Sequence, residues 1–142
     1  MSELVVIGWK ECIALPELEI DNIHCKVDTG AKTSCLHTYF VEPFEKNNQQ
    51  YVRFGLHPKQ NNTDIEKICV SPCVDRRMVK DSGGHTEDRY VIRTLIQLAD
   101  RQWEVEFTLT DRDAMQFRML LGREALKNNY IVDCSRSYVL GE

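Results

Sequence analysis

The strongest constraint on the fold is a pair of alternating stretches, 91–98 and 103–109, separated by a short polar step at Asp100-Arg101. In Val91-Ile92-Arg93-Thr94-Leu95-Ile96-Gln97-Leu98 and Trp103-Glu104-Val105-Glu106-Phe107-Thr108-Leu109, apolar and polar residues take turns, so an extended chain offers one face to a core and the other to water. Two such arms this close predict an antiparallel hairpin turning at Asp100-Arg101. Similar short runs predict strands over 5–15, closed by Pro16, and over 20–27, 34–37 and 51–54, with Ile131-Val132 and Tyr138-Val139-Leu140 returning to strand near the end. Polar, Asn/Gln-rich segments at 45–50 and 59–63 predict loops, and only 123–128 has helical character. At 142 residues the pattern fits one mainly β domain, a small closed barrel with one short C-terminal helix.

Charge and hydropathy narrow the class. A formal net charge of -4 provides no basic excess to neutralise phosphates, so no general nucleic-acid partner is expected. The opening Met1-Ser2-Glu3-Leu4-Val5-Val6-Ile7-Gly8-Trp9 has no basic leader, its apolar run is strand-sized, and no stretch approaches bilayer length. A cytoplasmic chain without membrane contact is therefore expected, with Cys12, Cys25, Cys35, Cys69, Cys73 and Cys134 as reduced thiols.

Within this β framework one polar stretch stands apart. Val27-Asp28-Thr29-Gly30-Ala31 follows the strand-like run Ile23-His24-Cys25-Lys26. A carboxylate on a tight turn at the end of a half-buried strand is held by backbone on both sides, and Thr29 and Gly30 offer it a hydroxyl and an amide. Asp28, Thr29 and Gly30 are the candidate catalytic group. Downstream, Met119-Leu120-Leu121-Gly122-Arg123 reads as a short apolar strand closed by a glycine that permits close backbone approach. Between the two, 79–92 has the profile of a β-hairpin with Ser82-Gly83-Gly84 at its tip.

An Asp-Thr-Gly turn early in a β-rich chain, with a hydrophobic-hydrophobic-Gly near its end, resembles one lobe of an aspartic protease of the retropepsin type. The runs Leu15-Pro16-Glu17-Leu18, Lys26-Val27-Asp28-Thr29-Gly30-Ala31-Lys32-Thr33-Ser34, Arg89-Tyr90-Val91-Ile92, Met119-Leu120-Leu121-Gly122-Arg123 and Ile131-Val132-Asp133 are similar to the bacterial RimB-like family, long labelled an ATP-dependent zinc protease. The resemblance covers nearly the whole chain. It implies a retropepsin-like (acid protease) fold in which Leu121, Gly122 and Arg123 pass behind the Asp28 turn and support it, and in which Gly83 and Gly84 tip a flap over the substrate. The best-described member is encoded beside the ligase that adds glutamates to a ribosomal small-subunit protein. An acidic peptide or protein tail is thus the implied substrate, with a ribosomal protein and its glutamate ligase as partners. Lys32 stands where many retropepsins carry an acidic residue, and Lys32 and Arg89 are the candidate cations for such a tail, beside Ala31, Gly83 and Gly84 in substrate binding.

The chemistry sets a further condition. Peptide hydrolysis by carboxyls needs one ionised group to take a proton from water and one protonated group to polarise the carbonyl, and two carboxyls about 3 Å apart supply both because they cannot both ionise readily. One Asp28 is insufficient. A chain with a single Asp-Thr-Gly is therefore expected to form a homodimer with the site on its two-fold axis. No cofactor and no metal are expected, since the sequence has no His-Glu-x-x-His and no Gly-x-x-x-x-Gly-Lys-Ser/Thr loop, and Cys69 and Cys73 lie far from a second ligand pair. His24, Cys25, Cys35 and His37 flank the Asp turn, which leaves their convergence open. Two other readings also stay open: a non-catalytic module that binds acidic tails of a ligase or ribosomal partner, and the metal-dependent peptidase of the family label.

Overall fold

A computed structural model of the chain describes residues 4–80, 83–112 and 116–141. Two short strands, β1 (Val5–Gly8) and β2 (Lys10–Leu15), lead through a 3₁₀ turn at Pro16–Leu18 into β3 (Ile20–Asp28). Pro16 opens that turn, where its fixed φ fits and its missing N–H is not needed. β4 (Ser34–His37) follows, then a meander of β5 (Phe40–Lys46), β6 (Gln49–Leu56) and β7 (Lys67–Pro72). β8 (Asp75–Lys80) and β9 (Thr86–Leu98) form one hairpin, and β9 forms a second with β10 (Arg101–Thr110). β11 (Met119–Gly122), the single-turn helix α1 (Arg123–Leu126) and β12 (Tyr130–Asp133) complete the order.

Six strands close a ring in the order β10, β4, β11, β3, β2, β9, with β9 pairing back onto β10, while β8 hangs on the outside of β9. Alternation explains the ring. Ile13, Leu15, Ile23, Leu36, Ile92, Ile96, Phe107, Met119 and Leu121 point inward and are essentially inaccessible, while Lys26, Arg93 and Glu104 face out. The fold is mainly β with one short helix, as the sequence pattern implies.

Four local readings change. The segment 45–50 is not a loop: β5 and β6 run through it, Lys46 opposite Gln49, with a two-residue turn of Asn47 and Asn48 at φ 53° and 63°. Asparagine tolerates the left-handed region, and two successive positive φ values suit the twist of a two-residue hairpin. The second long hairpin turns at Ala99-Asp100, one residue early, because Arg101 already pairs with Leu98. The helix stops at Leu126, two residues short, with Asn128 at φ 71°. Tyr138-Val139-Leu140 is a turn segment and not a strand.

That last segment is fixed by a buried acid. The Glu11 carboxylate, fully buried on β2, accepts backbone N–H groups from Gly8 at 2.7 Å, Val139 at 2.9 Å and Leu140 at 3.2 Å. The same region is stitched by Trp9 N–H to the Arg136 carbonyl and Tyr138 N–H to the Lys10 carbonyl. Removing the carboxylate would orphan the buried Gly8 donor, at about 1–3 kcal/mol where water cannot replace the acceptor, and the part-buried donors of Val139 and Leu140. Glu11→Ala is expected to lower the unfolding free energy by about 2–4 kcal/mol, with Glu11→Gln recovering part of the loss. Denaturant unfolding checks this, and an unchanged midpoint in the alanine variant would remove Glu11 from its place as a clamp.

Candidate active site

β3 ends at Asp28, and the chain crosses from β3 to β4 by way of residues 29–33. Between those strands lies β11, parallel to β3 with Leu121 opposite Val27 and Gly122 opposite Asp28, and antiparallel to β4. The Asp28 loop therefore bridges over the end of β11. Its backbone is used almost fully. Ala31 N–H donates to the Asp28 carbonyl at 3.1 Å, the Ala31 carbonyl accepts from Arg123 N–H at 2.9 Å, and the Lys32 carbonyl accepts from Glu124 N–H at 3.1 Å. The Arg123 guanidinium reaches the Gly30 carbonyl at 3.3 Å and the Thr29 carbonyl at 3.5 Å. Gly122 N–H donates to Ser34 Oγ at 3.0 Å.

On this frame the Asp28 carboxylate is half-buried and takes its side-chain hydrogen bond from Gly30 N–H at 3.1 Å, while Thr29 and Gly30 are exposed. The acid is thus held by local backbone and stays partly accessible. Among the described residues no other carboxyl is bonded to it.

The other assigned residues separate into two groups. Leu121 is buried in the core, and Gly122 and Arg123 lie against the loop, Arg123 through its guanidinium and its amide. Ala31 contributes backbone to internal bonds, so its amide and carbonyl hold the loop. Arg89 is turned inward: its side chain is only 14% exposed, and it donates to Glu87 Oε2 at 3.3 Å, Thr108 Oγ1 at 3.4 Å and Cys35 Sγ at 3.5 Å. Glu87 in turn accepts from Thr110 Oγ1 at 3.0 Å. A guanidinium so committed ties β9 to β4 and β10 and does not offer itself to a substrate. Gly84 sits at the exposed end of the β8–β9 hairpin at φ 86°, and a Cβ there would meet nothing within 4 Å. Gly83 is exposed beside it, and Ser82 lies outside the described residues.

A cavity of about 780 Å³ opens beside the loop, lined on one side by Lys32 and Ser34, on the other by Arg77 and Lys80 of β8, and floored by Trp103 and Glu106 of β10. Asp28 does not line it. Arg77 bonds Asp75 at 2.7 Å and Glu106 at 2.8 Å, and Glu106 also takes Arg93 at 2.9 Å. Those hydrogen bonds, Arg77 first, hold the Glu106 carboxyl below its usual range. Lys127, 2.9 Å from Glu124, lowers that carboxyl too.

The residues named for a metal do not converge. His24 lies 2.6 Å from Gln60 Oε1, and His37 Nδ1 lies 3.0 Å from the Arg112 carbonyl. Burial pushes the Cys25 thiol up to about 12 and raises that of Cys35, so both behave as apolar groups. Among the described residues no three His, Cys, Asp or Glu side chains are grouped to hold a metal ion. Sequence reasoning passed over Ser34, whose hydroxyl receives the Gly122 amide, and Trp9, whose carbonyl accepts Val27 N–H at 2.8 Å immediately before Asp28. Neither carries a motif signal, because one acts through a common hydroxyl and the other through backbone.

A short strand threaded beneath an Asp-Thr-Gly loop defines the retropepsin-like class of aspartic endopeptidase folds. Within that class the chain belongs to the RimB-like family, described as "Retropepsin-like aspartic endopeptidase RimB", which it matches over residues 6–142. It is 49% identical over 137 residues to a Shewanella pealeana protein named "Probable alpha-L-glutamate ligase", covering 96% of this chain and 30% of that one. A protein of the same name from Parasynechococcus marenigrum is 40% identical over 142 residues, covering 100% and 30%. The chain thus spans about 30% of the length of these curated relatives. A Legionella pneumophila protein of unknown function, solved by crystallography, shares the fold at a TM-score of 0.78, with 24% identity, 97% of this chain and 99% of that one. Among the described residues no helix is long and apolar enough to cross a membrane.

The fit of loop over strand leaves no room at residue 122. A Cβ on Gly122 would lie 2.6 Å from the Thr33 carbonyl carbon and 2.7 Å from its oxygen, both rigid backbone. Gly122→Ala is expected to destabilise by about 1–3 kcal/mol and to speed hydrogen exchange at the Gly30 and Ala31 amides. Wild-type exchange in that variant would mean the loop is held elsewhere.

Proposed function

We propose that the chain is an aspartic-type peptidase that works as a homodimer, each protomer giving one Asp28 to a site on the two-fold axis. The observation that carries this reading is a single half-buried acid presented on a loop fixed from beneath by Gly122 and Arg123. In the dimer, the ionised Asp28 takes a proton from water as its oxygen attacks the carbonyl carbon. The protonated Asp28 gives its proton to the carbonyl oxygen. Collapse of the tetrahedral intermediate breaks the C–N bond, and the proton gained from water passes to the leaving amine. Gly30 N–H and the loop orient the carboxyl throughout.

The proposed substrate is a glutamate-rich or oligoglutamate tail, such as that of a modified ribosomal protein, with the glutamate ligase that makes it as a functional partner. The relatives named as glutamate ligases, in which a region like this chain is about 30% of the length, support that pairing. A peptidase able to shorten what a ligase extends would make the modification reversible.

The test is incubation of purified protein with oligoglutamate peptides, followed by mass spectrometry. The wild type is expected to shorten them, insensitive to chelators, with a specific rate that falls on dilution as half-sites separate. Asp28→Asn is expected to lose at least about 10³-fold in rate while keeping the dimer mass. Retained turnover in that variant overturns the assignment; peptide binding without cleavage by the wild type makes the chain a tail-binding module, and loss of activity with chelator makes it a metal-dependent peptidase.

A further inference from the structure

The groove beside the active-site loop is lined by three cations, Lys32, Arg77 and Lys80, and three carboxylates, Glu104, Glu106 and Glu124, which differ in how they are paired. Of its lining residues, Arg77 and Glu106 neutralise each other within a network that includes Asp75 and Arg93, and Glu124 is paired with Lys127. Three charges remain outside any ion pair among the described residues: Glu104, Lys32 and Lys80. The two lysines are exposed and occupy opposite walls. Lys32 stands four residues after Asp28 on the active-site loop, and Lys80 is the last residue of β8, beside the hairpin tip. Between them the half-buried ring of Trp103 and the exposed side chain of Met78 provide an apolar lining.

A polypeptide leaving the Asp28 loop along this groove passes between two flexible ammonium groups. Carboxylates on short apolar stems suit it, the stems lying on Trp103 and Met78 and the charges meeting Lys32 and Lys80. We propose that Lys32 and Lys80 are the specificity-determining residues of the site, together gripping acidic side chains of the substrate, and that Arg89 has no part in this. The proposal rests on the peptidase reading for its placement. Two-fold symmetry gives it a further consequence. A dimer carries one such groove on each side of its axis, so acidic residues are selected on both sides of the bond that is cut, and an internal run of glutamates is a better substrate than a single glutamate at one side.

Binding and turnover are measured separately. In Asp28→Asn protein carrying Trp9→Phe, where cleavage is blocked and Trp103 is the remaining tryptophan, fluorescence is titrated with hexaglutamate and with hexaglutamine. Hexaglutamate is expected to bind more tightly, with affinity falling as salt rises. Lys32→Gln or Lys80→Gln is expected to weaken hexaglutamate by about tenfold each and to leave hexaglutamine unchanged, while Lys59→Gln, remote from this groove, changes neither. With Asp28 intact, the same lysine variants should show their loss in KM rather than kcat, and peptides with glutamate on both sides of the cut should lose more than peptides with glutamate on one. Hexaglutamate binding and cleavage that survive in the double lysine variant overturn the proposal, as does an equal loss for hexaglutamine. Lysine-dependent binding without wild-type turnover upholds the groove and overturns the peptidase; turnover indifferent to both lysines does the reverse.

Discussion

The loop that carries Asp28 lies across the end of β11, and the crossing closes only because residue 122 has no side chain. A methyl group there would sit inside van der Waals distance of the Thr33 backbone, and the Arg123 and Glu124 amides just beyond could no longer reach the Ala31 and Lys32 carbonyls at 2.9 and 3.1 Å. Backbone bonds of this kind fix position more tightly than side-chain contacts, because few rotatable bonds separate donor from acceptor. The acid is thus placed by the ring of strands, through β3 on one side and β11 beneath. Catalysis by two carboxyls needs that economy, since a displacement of about 1 Å is enough to lose much of the benefit of orientation.

What was legible in the sequence follows the same division. Alternation locates 92–98 of β9 and 103–107 of β10, where one face is buried and period-two patterning records that directly, but neither the start of β9 at Thr86 nor the wholly buried end of β10. The Asp-Thr-Gly turn and the Leu-Leu-Gly strand were visible as motifs, and their pairing as Gly122 opposite Asp28 agrees with the support that the resemblance implied. β7 was illegible because its apolar residues face the wrong way. Ile68 is 43% and Val70 53% exposed while Cys69 and Ser71 are buried, so the pattern was present with its sign inverted. The Asn47-Asn48 turn looked like a loop because the polar residues around it belong to exposed strands. Tyr138-Val139-Leu140 looked like a strand because it is apolar, yet its amides are spent on the Glu11 carboxylate, a partner 128 positions away that local patterning does not reveal.

The basic residues show where composition stops being informative. Lys32, Arg77, Lys80 and Arg89 are equivalent in a count of charge, and the structure gives them three different fates. Arg89 is buried against Glu87, Thr108 and Cys35, Arg77 is balanced by Asp75 and Glu106, and Lys32 and Lys80 stand exposed on the groove. The planar guanidinium, with five donors, can serve several acceptors at once and so suits internal ties, while the ammonium on its flexible stem is cheaper to leave hydrated and available. The partition follows side-chain chemistry, although only the fold decides which arginine finds acceptors.

Rigidity is distributed unevenly around the groove, and in a sense that matters for closing it. The wall formed by Lys32, Thr33 and Ser34 belongs to the active-site loop and the ring and is tied by backbone bonds. The opposite wall, β8, pairs only with β9 and has no second strand beyond it. Its side-chain ties include the Arg77 bonds to Asp75 and Glu106 and the Arg76 to Asp88 contact at 2.6 Å, all partly exposed and so weakened by water. A wall held by one ladder and a few solvated ion pairs separates from the ring at much lower free energy than global unfolding requires. In the proposed peptidase the acid must not move and the β8 wall must admit a polypeptide, and the two demands fall on the elements whose attachments suit them.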